Sequence, residues 1–384
     1  MTQWLTQTVF ARHIYNIFPY YPTPRLNPVI EYFAPVISKD PVLLHVSLLC
    51  VALQNERHLS PKDRTRSRRL NAKSLRLLQR RINSESPDCI SDTTLCAIAA
   101  LTNIENSKGN LRHAHTHLAG LKRILDIRGG LDAVRSSNAT IANIVFCAMI
   151  SAADSSFPIQ DLQRPLKRPD WFWQAVQDDA AEPCIDLKAH GVDNEYADIM
   201  LNIRMMAKTY QTADDCRSTG EYQAVLTFLT STLQRLLSLP LPQTPETYEG
   251  RITAACRYAL IVHVFAQWCG HDPDPHLMVS LAQHELLTVL RPLMEHRVSN
   301  TLLVWLLSVG GTAPIGLAER KWFIGHLADV TEDLGIKTWL DMRSRLKQVI
   351  WHNHQDEEMH KGLWDEVESR QVNEQELQAP DVDL

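Results

Sequence analysis

The 384-residue chain lacks the features that mark most membrane, secreted and catalytic proteins. No run of about 18 or more apolar residues occurs, so no segment reads as a membrane span. The opening MTQWLTQTVFARHIYNIF has no compact basic-then-apolar leader with a cleavage site, and a soluble intracellular protein is expected. Glycine is scarce and dispersed, with 14 residues. They form no Gly-x-Ser-x-Gly turn, no Gly-x-x-x-x-Gly-Lys-Ser/Thr phosphate loop and no Gly-x-Gly-x-x-Gly after a strand, which sets aside the commonest hydrolase and nucleotide-binding designs. The eight cysteines (Cys50, Cys89, Cys96, Cys147, Cys184, Cys216, Cys256 and Cys269) are scattered, mostly within apolar runs. They read as small core hydrophobes, not as a disulfide framework. Basic charge is not in excess either. The formal net charge is -5, so the chain as a whole offers no electrostatic case for binding nucleic acid, although a local basic patch remains open. Alternating Val/Ile/Thr-rich stretches and short-period repeats are also missing, which argues against sheets and regular solenoids.

What is present is helix. At 45% hydrophobic and 22% charged, the chain can bury a sizeable core. The best-defined stretch runs from Ser91 to Val134. Ser91 caps a helix whose first turn holds Asp92, an acid at the positive end of the helix dipole. Leu95, Ile98, Ala99 and Thr102 follow on one face. Gly109 and Asn110 break the run. A second helix carries Leu111, Ala114, Leu118, Leu121 and Leu125 down one side until Gly129 and Gly130 stop it. Two such helices need a larger helical body to bury their faces. His113, His115 and His117 lie on the second helix. His113 and His117, four apart, are weak candidates to share a metal ion, with His115 pointing elsewhere. No His-Glu-x-x-His accompanies them, and His352 and His354 are weaker still.

Around this centre the chain reads in order. Asp40-Pro41 opens a helix that is apolar nearly all round, with His45 at its edge. Residues 62–81 are dense in arginine and lysine. A solvated amphipathic helix with Leu75, Leu78 and Ile82 buried is preferred there to a phosphate-binding one, since the overall charge gives no support. Asn138 caps a further apolar helix. Pro158, Pro165 and Pro169 then interrupt the chain in an internal loop at about 155–172, followed by Trp171, Phe172 and Trp173, expected to fold back onto the core. Helices are expected over 196–216, 221–239, 246–269 and 275–296. After TLLVWLLSV, Gly310 and Gly311 are expected to break the chain. Thr338 caps a helix with Trp339, Met342, Leu346, Val349 and Ile350 at helical spacing, expected to end at Trp351.

The run AHTHLAGLKRILDIRGGLDAV resembles the fungal-specific transcription factor domain, the helical regulatory region that usually follows a binuclear zinc cluster. The matching positions are His117, Gly120, Leu121, Arg128, Gly129, Gly130 and Leu131. A second block, Glu319, Arg320, Trp322 and Phe323, is similar to the family's Glu-Arg-x-Trp-Phe, and Gly362, Leu363, Trp364, Glu366 and Val367 partly match its closing pattern. These motif residues are expected to be structural. The resemblance implies an all-α, irregular multi-helical array around one extended core. It places a segment of 1–25, a regulatory body over 26–367 and an acidic flexible tail over 368–384.

It further implies a nuclear transcription regulator, not an enzyme, without cofactor. Such a protein works through a protein partner or self-association, and some relatives sense small lipophilic ligands. Cys89 and Cys96 have the x6 spacing of the family's zinc cluster, but no Cys-x-x-Cys precedes them, so no direct DNA binding is expected from this chain alone. Two other readings stand beside this one: an all-α metal-dependent enzyme using His113 and His117, and an interaction scaffold outside transcription.

Overall fold

The computed structural model describes residues 36–37, 39–56, 58–60, 62–151, 168–211, 219–242, 246–269, 277–295, 300–312 and 317–378. Among the described residues there are fifteen α-helices, one short 3-10 helix and no strand. The 1–25 segment and most of the proline-rich loop lie outside them. Helical packing divides the chain into two compact units, Met1–Pro158 with Arg217–Thr230, and Ile159–Cys216 with Ser231–Leu384. The all-α, multi-helical array expected from the sequence is what these residues form.

The first unit contains α1 (Pro41–Asn55), α2 (Thr65–Ile82), the 3-10 turn Pro87–Ile90, α3 (Asp92–Ser107), α4 (Leu111–Ile127), α5 (Leu131–Ser137) and α6 (Ala139–Ser151). α3 is its centre and packs against α1, α4 and α6. Leu95, Ile98, Ala99 and Thr102 are buried as expected, but so are Cys96, Ala97 and Leu101, so the helix is enclosed nearly all round. The Ser91 hydroxyl accepts the Thr94 N–H at 3.3 Å and closes its N-terminus. On α4, Ala114, Leu118, Leu121 and Leu125 are buried, while Leu111 is exposed.

α2 departs from its expected orientation. Leu78 is buried, but Leu75 is 37% and Ile82 45% exposed, and the inward positions are instead Ser67, Ser74 and Leu78. Long-range polar anchors set this rotation. The Glu56 carboxylate accepts the backbone N–H groups of Arg66 and Ser67, both at 3.1 Å, at the positive end of the helix. At the other end Arg81 makes a two-pronged pair with Asp40, at 2.8 and 2.9 Å. Small serines on the inner face then suit close packing against α1.

The second unit contains α7 (Asp170–Asp179), α8 (Asn194–Gln211), α10 (Tyr248–Cys269), α11 (Leu277–Met294), α12 (Thr301–Thr312), α13 (Leu317–Asp333), α14 (Trp339–Lys347) and α15 (Asn353–Gln378). α9 (Thr219–Ser238) is divided at Thr230 between the two units. α12 is the innermost helix, with Thr301 through Gly311 all buried. Of the aromatic triplet, Phe172 is fully buried but Trp173 is 52% exposed, so only part of it folds inward. α15 continues past Glu368 to Gln378, and Gln371 donates to the Ala328 carbonyl at 3.2 Å, so the first part of the acidic segment is helical.

Candidate functional site

The first motif block is a three-helix junction. Gly129 and Gly130 end α4 with φ of 87° and 91°, a region that side-chain-bearing residues avoid. The Gly130 N–H returns to the Leu125 carbonyl at 2.8 Å. That turn aims Arg128 at Asp92 of α3, 2.5 Å away, and the other Asp92 oxygen accepts the Asn138 amide at 2.9 Å. One carboxylate therefore joins the start of α3, the end of α4 and the entry to α6. Leu121 of α4 is wholly buried. Nothing in the structure explains Gly120, which sits mid-helix facing open space.

His113 and His117 stand in different surroundings on α4. The His113 side chain is 69% exposed, with its Nδ1 3.7 Å from Glu105. Glu105 is already engaged by Lys108 and Asn110, both at 2.8 Å. Burial pushes the half-buried His117 below the ordinary histidine range, while nearby Glu105 opposes that shift. Among the described residues no three His, Cys, Asp or Glu side chains converge on a common point suited to a metal ion.

The second block is a close helix crossing. Gly310 and Gly311 are helical and lie in the last turn of α12, so they do not break it as expected. A Cβ on Gly310 would stand 2.2 Å from the Phe323 ring, and one on Gly311 would stand 2.9 Å from Leu363. The glycines are needed because α13 and α15 approach α12 closely there. Arg320 locks the crossing: it pairs with Glu366 of α15 at 2.6 Å and donates to the Gly311 carbonyl of α12. Glu319 occupies the first turn of α13. Trp322 meets Phe323 edge-on at 5.2 Å and His326 at 4.4 Å. Trp364 is 1% exposed, and its indole N–H has no partner among the described residues.

A polar network in the second unit's interior has no motif in the sequence to mark it. α14 stops at Lys347, short of the expected Trp351, and four successive carbonyls of the connector to α15 are taken by donors elsewhere. Arg204 of α8 donates to the carbonyls of Lys347 (2.6 Å) and Val349 (2.9 Å). The Ile185 N–H reaches the Gln348 carbonyl at 3.3 Å, and the Trp305 indole the Ile350 carbonyl at 3.1 Å. Carbonyls occupied in this way are not free to continue a helix. Arg204 is itself held by Asp179 through two hydrogen bonds of 2.7 and 2.9 Å. Burial opposes ionisation of Asp179, but Arg204 and Lys208 outweigh it and keep the carboxyl below its usual range.

Beyond the connector lies a cluster of three buried histidines. His263 Nε2 of α10 and His352 Nδ1 are 3.2 Å apart, so one must donate and the other accept. His360 of α15 is 2% exposed with no hydrogen-bond partner on Nδ1 among the described residues, and its ring lies 5.7 Å from Trp351. Burial pushes His263 down to about 4 and His360 to about 3, and His352, which also faces His263, well below its ordinary value. All three are neutral near pH 7. Only His352 carried any sequence signal; His263 and His360 sit alone in helical runs with nothing to flag them. The buried cysteines are inert in the same way, with burial pushing Cys147 up to about 12.

Motif glycines, arginines and aromatics thus lie at contacts between helices of an all-α fold. The chain belongs to the fungal-specific transcription factor domain family: the model of the fungal specific transcription factor domain matches residues 6–373. Comparisons with curated proteins and with solved structures gave no significant match.

Proposed function

We propose that this chain is a nuclear transcription regulator that works through its helical body, by holding a protein partner or a second copy of itself. The observation that carries this reading is the extent of the family match, residues 6–373, which takes in every described helix apart from the last residues of α15. Both motif blocks support it, since each spends its distinctive residues on fixing helices against one another. Within these residues no Cys-x-x-Cys pair is present from which to build a zinc cluster. The segments 1–25, 26–367 and 368–384 serve in this reading as leading segment, regulatory body and tail.

Tethering the full chain to an unrelated DNA-binding module upstream of a reporter tests the proposal. A severalfold change in transcription, in either direction, together with nuclear accumulation of a fluorescent fusion, is the expected result. An unchanged reporter from a fusion that is expressed and nuclear would overturn it.

A further inference from the structure

The rotation of α2 gives its cations a common face. Arg66, Arg69, Lys73, Arg76 and Arg80 follow at i, i+3, i+7, i+10 and i+14, a straight line about 21 Å long on a helix rising ~1.5 Å per residue. All five are exposed, and they lie on the side away from the buried Ser67, Ser74 and Leu78. No acidic residue occurs between Arg64 and Ser84. Arg66 is near Glu56, but among the described residues no carboxylate pairs with Arg69, Lys73, Arg76 or Arg80. The remainder of the chain is more acidic than its net charge of -5, so this line is a local inversion of sign.

We propose that α2 lays this stripe along the phosphate backbone of a DNA duplex without reading its bases. α2 carries the proposal alone; the regulator reading is not needed for it. The stripe contains no aromatic or large apolar side chain between its cations, whereas a protein partner is ordinarily anchored by buried aromatic or aliphatic groups. Binding must then come from charge. A duplex offers one phosphate per ~1.7 Å with condensed counterions to release, while an acidic polypeptide offers no more than one carboxylate per ~3.3 Å. Four of the five cations are arginine, whose planar fork suits phosphate oxygens. Contacts of this kind position a protein on DNA and carry no sequence information.

The test is fluorescence anisotropy of the full chain with a labelled random-sequence duplex over a range of salt. With Arg69, Lys73, Arg76 and Arg80 engaged, log K should fall against log salt with a slope of about -3.6, near 0.9 per phosphate contacted. Replacing Arg69, Lys73, Arg76 and Arg80 by glutamine should bring the slope close to zero, and the single Arg76→Gln change should remove about 0.9 of it. Exchanging Arg69, Arg76 and Arg80 for lysine should retain most of it, and this variant together with Arg76→Gln decides the matter if the quadruple variant does not fold. A slope that survives the glutamine changes would overturn the proposal. So would polyglutamate competing as well as the duplex at equal charge concentration, which would assign the stripe to an acidic protein.

Discussion

Single glycines in this chain have opposite roles according to what surrounds them. Gly310 is pressed by the wholly buried Phe323 ring, which cannot swing aside, so Gly310→Ala should destabilise by about 1–3 kcal/mol through overpacking. Gly120 faces open space in mid-helix, and Gly120→Ala should stabilise by about 0.5–1 kcal/mol. Thermal melts of the two variants should shift in opposite directions, and equal shifts would contradict the geometry. The buried histidines make a prediction of the same grain. Their folded values lie below the unfolded value of about 6.5, so the unfolded chain binds more protons once pH falls below that point. Stability is then fully present above about pH 6.5 and is lost as pH falls toward 4, at roughly 1–2 kcal/mol per site by pH 5. Urea unfolding at pH 7.5 and pH 5 checks this. His360→Leu should flatten the dependence by removing one titrating site, and His360 Nδ1 has no partner among the described residues to forfeit.

Between elements, the most consequential residue is Arg204. It satisfies Asp179 and two connector carbonyls at once, so Arg204→Ala leaves the buried Asp179 with Lys208, 2.9 Å away, as its remaining cation among the described residues and strips two carbonyls of their donor. A loss of about 3–5 kcal/mol is expected from a buried pair broken on one side. Lysine should restore little, because it has no fork to span those acceptors. Denaturant midpoints of the alanine and lysine variants would show it. This contact also marks the limit of what the sequence disclosed. Helix existence, the Ser91 and Thr338 caps and the Gly129-Gly130 stop were legible because they are encoded within a few residues. The face of α2 was not, since Leu75, Leu78 and Ile82 have helical spacing while Asp40 and Glu56, distant in sequence, set the rotation. Nor was the end of α14, whose fate depends on Arg204, 143 residues before Lys347. Gly310 and Gly311 carried a signal that had two meanings: scarce side chain can break a helix or let another helix approach.

For the molecule as a whole, the all-α class and the family were legible, while the division into two compact units was not. Apolar periodicity says that a helix is buried without saying against which neighbour. The interior of both units is held by packing and hydrogen bonds, and the described histidines converge on no metal-binding geometry. Metal analysis of the purified protein, with melting temperature followed with and without a chelator, tests the expected absence of a metal site. A bound ion lost on substituting His113 or His117 would revive the metal-dependent reading.

The connector from Lys347 to Ile350 has a consequence for length. Its carbonyls are matched one by one to donors on α8, at Ile185 and on α12, so inserting or deleting a single residue there would put every donor out of step together. A surface loop absorbs such a change by bulging outward. This short segment has no slack, and it works as a ruler that fixes where α15, and with it Trp364 and Glu366, must begin.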